Sequence, residues 1–345
     1  MDISVPLYDM APMFECLSSL PYSTFNSPLK PPQWQKILAI FGATGQQGSS
    51  VLNHVLNDPE LSQRYNIRAI TRDVNSGKAQ QLKAKGNVEV VDGDVADSVS
   101  LAAALTGVHT VFAMTTPDLS ADVFHVELAN AKRIADVAVQ QSVNYLIWST
   151  LPAIRNISKG KYSAVIPFDA KAAAEEYIHT LPIKSAFVSL GSFMENLQAQ
   201  TFLAPTQAPD GTYVLARHTS PQTQFPLLDA VGDTGKFVGA ILAEPKKYQG
   251  KRLHAATKLY TVEKITTLLS KSSGKPIVYK QVSTEEFKAG LPFFQDVFAE
   301  GFSFMDEYGY FGPGSEALVA EAAASARGKL STFEEYLERH PFQLV

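Results

Sequence analysis

Apolar residues along this chain fall into short continuous runs, separated by stretches in which they recur every third or fourth position. Ile37–Phe41 is a continuous apolar run, and Ile67–Thr71, Val88–Val91, Val108–Met114, Tyr145–Ser149 and Ser185–Leu190 are further segments of strand length. Such runs are expected of strands covered on both faces. Between the first two, Val51, Leu52, Val55 and Leu56 mark a helix that Asn57-Asp58-Pro59 punctuates. Ser98–Leu105 reads as a short helix closed by Gly107. Ala121–Gln141 reads as a long one, with a stripe through Val123, Leu128, Ala131, Ile134, Ala135 and Ala138, and Phe168–Thr180 as a third. Strands alternating with helices predict an α/β fold, with a doubly wound parallel sheet and right-handed crossovers.

Two regions depart from this pattern. Residues 1–33 carry six prolines and no clear period, which predicts a flexible N-terminal extension whose aromatics (Tyr8, Phe14, Tyr22, Phe25) either stay free or pack onto the body. After Gly191, prolines and glycines separate short pieces. Thr212–Ala216 and Ile277–Gln281 read as strands, and Val262–Ser270, Thr284–Ala289, Glu316–Lys329 and Thr332–Arg339 as helices. This half predicts a smaller α+β C-terminal lobe. Residues 291–314 within it are rich in Phe and Tyr.

Composition narrows the class. Of 345 residues, 45% are hydrophobic and 19% charged, ordinary for a globular protein of more than one domain. A net charge of −4 gives no basic footprint for direct nucleic-acid binding. Cys16 is the single cysteine, which excludes an internal disulfide and thiolate-rich metal sites, and fits a reducing compartment. Runs such as Leu101–Leu105 and Val111–Met114 fall far short of the roughly 18 apolar residues of a membrane span. No Lys precedes Lys30 and no Arg precedes Arg64, so a basic signal or transit segment is not expected. The expectation is a soluble cytoplasmic protein, with the nucleus equally compatible, that is a monomer or weak dimer.

The candidate chemistry begins at Gly42-Ala43-Thr44-Gly45-Gln46-Gln47-Gly48, directly after one buried strand and directly before a helix. In that context Gly42 permits a tight turn, Gly45 lets backbone approach a pyrophosphate, and Gly48 lets helix and strand pack closely. The helix N-terminus offers amides and partial positive charge to phosphates. Which dinucleotide binds depends on the end of the second strand. There Arg72 suits a 2′-phosphate, with Lys78 near enough in sequence to assist, whereas a shift of one residue would substitute Asp73. Asp94 and Val95, after the third strand, are either adenine contacts or a surface turn. Thr115, after the fourth, and Lys171, further along, complete the cofactor candidates.

These motifs resemble the NmrA-like family of atypical short-chain dehydrogenase/reductases, which is related to the isoflavone-reductase-like branch. The resemblance rests on G-A-T-G-Q-Q-G at 42–48, I-T-R-D at 70–73, D-G-D at 92–94, F-D-A-K-A-A-A-E-E-Y at 168–177 and G-S-F-M-E-N at 191–196. The stretch from Asp229, D-A-V-G-D-T-G-K-F-V-G-A-I-L, is similar to that family's return to the main sheet. The resemblance implies an NADP(H)-binding Rossmann domain over 34–190 and a lobe over 191–345, with 229–243 rejoining the first. Short-chain dehydrogenases reduce carbonyls with a Tyr-x-x-x-Lys pair and a Ser. Here Lys171 stands at the Lys position, Pro167 at the Tyr position, and Ser149 and Thr150 at the Ser position, while Tyr162 and Tyr177 are wrongly spaced. Two functions follow. One is an NADPH-dependent reductase of a small apolar or aromatic carbonyl or enone compound, with Lys171 as acid/base and Ser149 or Thr150 orienting substrate. The other is a catalytically silent redox-sensing regulator that binds NADP(H) and a protein partner such as a transcription factor. Phe193, Met194, Phe293, Phe294, Phe298, Phe302, Phe304, Tyr308, Tyr310 and Phe311 are either a pocket lining or the core of the second lobe. The seven histidines show no metal-ligand spacing.

Overall fold

A computed structural model describes residues 35–85, 87–116 and 122–344. The proline-rich extension with its four aromatics and Cys16, and the expected helix start at Ala121, lie outside the described residues.

Six strands follow the predicted order: β1 (Lys36–Phe41), β2 (Tyr65–Thr71), β3 (Val88–Asp92), β4 (Thr110–Ala113), β5 (Tyr145–Thr150) and β6 (Lys184–Leu190). With Arg252–Ala255 as a seventh strand beside β6, they form one sheet in which every pair is parallel, in the order β3-β2-β1-β4-β5-β6 and then the seventh. The order reverses between β1 and β4, and a crevice at the carboxyl ends of a sheet at such a reversal is where α/β proteins take ligands. All six residues of β5 are buried, which is why its sequence carries no alternation.

Each face of the sheet has its own core. On one face, Val51, Leu52 and Val55 of helix Gln46–Asn57 pack with Phe237, Val238 and Ile241 of helix Ala230–Ala243. The amide of Gly235 donates to Ser50 Oγ across this crossing (2.9 Å). On the other face, Leu101, Ala131, Ile134, Ala174 and Ile178 from helices Ser98–Leu105, Val123–Gln140 and Ile166–His179 cover Trp148 and Phe187.

The C-terminal lobe holds two three-stranded sheets. One is built from Ser192–Phe193, Gln224–Leu228 and Lys258–Thr261, the other from Thr206–Gln207, Tyr213–Arg217 and Ile277–Gln281. Helix Val262–Ser273 starts on the Thr261 hydroxyl, which accepts from the Lys264 amide, and stops at left-handed Gly274. Several elements differ from the sequence expectation, among them strands Gln224–Leu228, Arg252–Ala255 and Lys258–Thr261, where the sequence pattern predicts no strand. Helix Gln295–Tyr308 occupies the Phe-rich stretch, and the alanine-rich helix closes at Ser325, before Lys329. Strand Gln224–Leu228 contains Pro226, yet Ser192–Phe193 pairs only with Leu227 and Leu228, so no donor is required there on that side.

Candidate functional site: a glycine-loop cleft running into the second lobe

A cleft of about 1450 Å³ opens at the carboxyl ends of β1 and β4 and continues between the sheet and the C-terminal lobe. Gly42, Thr44, Gly45, Gln46, Gln47 and Gly48 all line it. Gly42 turns the chain at φ +63°, and a Cβ there would also stand 3.1 Å from Met114 Sδ. At Gly48 a Cβ would lie 2.5 Å from the Gly42 carbonyl carbon and 2.8 Å from the Ala43 nitrogen, so helix and loop touch backbone to backbone. Helix Gln46–Asn57 has no side-chain cap and no acid in its first turn. Its opening amides therefore face the cleft without an internal anion.

β2 ends at Thr71, and both Arg72 and Asp73 reach the cleft. Arg72 is exposed and makes no ion pair among the described residues. Asp73 turns inward on its own loop, where Oδ1 accepts from the Asn75 amide (2.8 Å). Lys78 stands exposed on helix Gly77–Lys83, outside the cleft lining. Its proximity in sequence to Arg72 does not become proximity to the cleft, because the helix carries it away. Asp94 is also outside the lining: its Oδ1 accepts from the Ala96 amide (2.9 Å), so it builds the turn. Val95 does line the cleft, and Arg133 Nη1 grips its carbonyl (2.6 Å) together with Asn130 Oδ1 (3.0 Å).

The centre of the cleft is a buried charged cluster. Lys171 Nζ donates to Glu127 Oε1 (2.6 Å), the Thr115 carbonyl (2.7 Å) and Thr115 Oγ1 (3.0 Å). The Thr115 hydroxyl donates in turn to Glu127 Oε1 (2.7 Å). Side-chain exposure is 9% for Lys171 and 1% for Glu127. Burial pushes the Lys171 ammonium below the usual lysine range, and the adjacent Glu127 carboxylate pulls it partly back. Glu127 Oε2 is buried with no partner among the described residues.

Ser149 Oγ donates to Gln47 Oε1 (2.8 Å), tying the end of β5 to the glycine loop. Thr150 borders the cleft but is wholly buried, and its hydroxyl donates to the Lys171 carbonyl (3.3 Å). Tyr162 points away, donating to Glu307 Oε2 (2.8 Å) and packing on Phe304 and Tyr308. The ten aromatic-stretch candidates divide. Phe193, Phe298, Phe302 and Tyr310 line the cleft, joined by Phe168 and Phe225; Met194, Phe304 and Phe311 are core, Tyr308 is half-buried and stacked on Phe304, and Phe293 and Phe294 are exposed.

Sequence reasoning missed Glu127, Asn130 and the Gln47–Ser149 bond. Glu127 had a signal: it lies four residues before Ala131 on the buried face of its helix, where a carboxylate requires a partner. Among the described residues no cluster of three or more His, Cys, Asp or Glu could hold a metal ion, and no helix is long and apolar enough to cross a membrane.

The sequence profile of the NmrA-like family matches residues 34–337. The chain belongs to the NmrA-like family. The NmrA-like protein is 30% identical over 298 residues to an NmrA-like family domain-containing oxidoreductase, ptmS, of Penicillium ochrochloron, covering 81% of this chain and 87% of that one. Its fold matches that of NmrA, a negative transcriptional regulator solved in complex with NADP, with a TM-score of 0.71 at 23% identity over 88% and 94% of the two chains. It also matches the NADPH-dependent quinone oxidoreductase QOR2 of Escherichia coli, solved with NADPH, with a TM-score of 0.69 at 20% identity over 88% and 99%. Those two likenesses are of fold. They agree with a Rossmann-type parallel sheet carrying an extra lobe.

Proposed function

We propose that this NmrA-like protein binds NADP(H) and is an NADPH-dependent reductase of a small, apolar or partly aromatic carbonyl or enone compound. One observation carries the reading: a single continuous cleft joins the glycine loop, Lys171 with Thr115, and an arm walled by Phe193, Phe225, Phe298 and Phe302. The cofactor fits the residues present. The uncapped first turn of helix Gln46–Asn57 receives the pyrophosphate, the side-chain-free edge at Gly45 admits it, and Arg72 offers an unpaired planar fork to a 2′-phosphate. When bound, NADPH supplies a hydride. Lys171 holds a proton at Nζ, and its desolvation makes that proton easier to release than from an exposed lysine. Glu127 and Thr115 fix the ammonium in place, and Ser149 positions Gln47 at the loop. The aromatic arm excludes water and orients a flat substrate.

The observation favouring the silent-regulator reading is that all three Lys171 protons are already directed to Thr115 and Glu127. On that reading the cluster is a floor for the cofactor, and the redox state of NADP(H) governs contact with a protein such as a transcription factor. Titration with NADPH, NADP⁺, NADH and NAD⁺, followed by NADPH consumption at 340 nm with aromatic enones and quinones, separates the two. The reductase reading expects NADPH to bind more tightly than NADP⁺, and turnover that Lys171→Met abolishes with the cofactor still bound. Equal binding of both redox forms without turnover establishes the regulator instead. No binding of any of the four overturns both.

A further inference from the structure

Among the described residues three cations line the cleft, and only one of them is half-buried without a counter-charge. Arg72 stands at the exposed rim, and Lys171 is paired with Glu127. Arg217, the last residue of strand Tyr213–Arg217, lines the aromatic arm. Its Nη1 donates to the Ala216 carbonyl (2.7 Å) and its Nη2 to the Leu203 carbonyl (2.6 Å). The guanidinium carbon stands 5.6 Å from the Phe302 ring and 5.8 Å from the Phe287 ring. No carboxylate among the described residues pairs with it. Burial in these surroundings pulls its pKa down to about 10, which leaves it fully charged at neutral pH.

A guanidinium carries five N–H donors, and two carbonyls occupy only two of them. Carbonyl dipoles and ring faces offset part of the desolvation of a cation but leave its net charge standing. A half-buried charge in that condition is incompletely solvated, and an arriving anion that takes the free donors completes its pairing. The rest of the arm is mostly apolar, Phe225, Leu227 and Phe298 among it, with Asn196 and Gln200 as neutral polar groups and no second cation for a polyanion.

We propose that Arg217 is the anchor for one acidic group, a carboxylate or the anion of an acidic enol, on the flat apolar substrate of this cleft. This rests on the reading of the cleft as a substrate site. It narrows the substrate class from apolar carbonyl compounds to apolar monoanions. Specificity then comes from Arg217 in the arm, and chemistry from the Lys171 region.

The test uses two dyes that share one chromophore. 8-Anilinonaphthalene-1-sulfonate is a monoanion, and N-phenyl-1-naphthylamine is the same molecule without the sulfonate. Arg217→Met keeps the length and apolar packing of the side chain while removing the charge. It should weaken the anionic dye at least tenfold and leave the neutral dye within twofold. If both dyes weaken alike, Arg217 is only a latch between strand Tyr213–Arg217 and the Leu203 carbonyl, and the proposal falls. It also falls if the anionic dye is unaffected. Should Arg217→Met not fold, the wild-type protein still decides: 2-naphthoate should displace the anionic dye at a concentration at least tenfold below that of 2-naphthamide, and equal displacement refutes the anchor. NADPH titration is run in parallel. Its failure in the wild type would overturn the NADP(H) reading and leave the dye comparison intact.

Discussion

Glu127 and Lys171 form an ion pair that the fold has almost entirely removed from water, and its energetics can be isolated by a mutant cycle. Glu127→Ala deletes one partner of the 2.6 Å contact and leaves the ammonium with only the two Thr115 oxygens. Removing one member of a buried pair typically costs about 3–5 kcal/mol, because a charge is stranded in low dielectric. Replacing both partners with apolar residues of similar volume, Glu127→Leu with Lys171→Met, strands nothing and should return stability to within about 1 kcal/mol of wild type. The sign with pH is also fixed. Burial lowers the Lys171 pKa in the folded state, so between that value and the unfolded value the unfolded chain binds more protons, and folding gains as pH rises. The Glu127→Ala deficit should therefore shrink as pH approaches the ordinary lysine value of about 10.4. Urea titrations with a shared slope m are the assay, since a changed m would signal a different unfolded or native state. A single-variant loss below about 1 kcal/mol, or a double variant no more stable than Glu127→Ala, would refute the reasoning.

Gly45→Asp places a carboxylate at the opening of helix Gln46–Asn57, and its Cβ meets only the Gly42 carbonyl at 3.3 Å; NADPH binding should fall by more than about 100-fold with the melting temperature nearly unchanged, as calorimetry and a thermal scan would report. Gly48→Ala, which drives a methyl into the Gly42 backbone, should instead destabilise the fold by about 1–3 kcal/mol, measured by urea titration. Arg72→Glu should weaken NADP(H) far more than NAD(H), and equal losses would show that this side chain does not read the 2′-phosphate. His254, packed against Phe311 and lowered to about 4 by burial and Arg252, stays neutral in the fold while the unfolded residue titrates near 6.5. Its contribution is full above pH 6.5 and is lost as pH falls toward 4, so His254→Gln should flatten the stability profile in that window.

What was legible in the sequence depended on how many neighbours a residue needs before it has meaning. Strands buried on both faces write themselves as unbroken apolar runs, so β1 and β5 could be read without any tertiary knowledge. Gly42 and Gly48 were legible for a similar reason, because their conformation and close contact are set within seven residues. Helix Gln295–Tyr308 was not: its Phe298, Phe302 and Phe304 face a cleft and a core at once, which erases a one-sided stripe. Glu127 was hidden because its partner comes from a different helix. Lys78 lies outside the cleft lining because adjacency along the chain carries no direction. Arg217 had no local signal at all, since an arginine at a strand end is ordinary until the absence of a carboxylate around it can be seen.

The crossing of helix Ala230–Ala243 over helix Gln46–Asn57, together with the late strand Arg252–Ala255, has a consequence for how the protein comes into being. The sheet that begins at Lys36 lacks its last edge strand, and the glycine-loop helix lacks its cover, until Ala255 has been synthesised. A nascent chain paused after β6 would leave the Ser50–His54 side of helix Gln46–Asn57, onto which Gly235 and Gly239 close, without its cover. Long-range closure of this kind makes folding a late event on the ribosome. Truncation at residue 190 should accordingly yield an aggregation-prone fragment, and any chimaera that borrows this nucleotide fold must carry the chain through Ala255 to keep it whole.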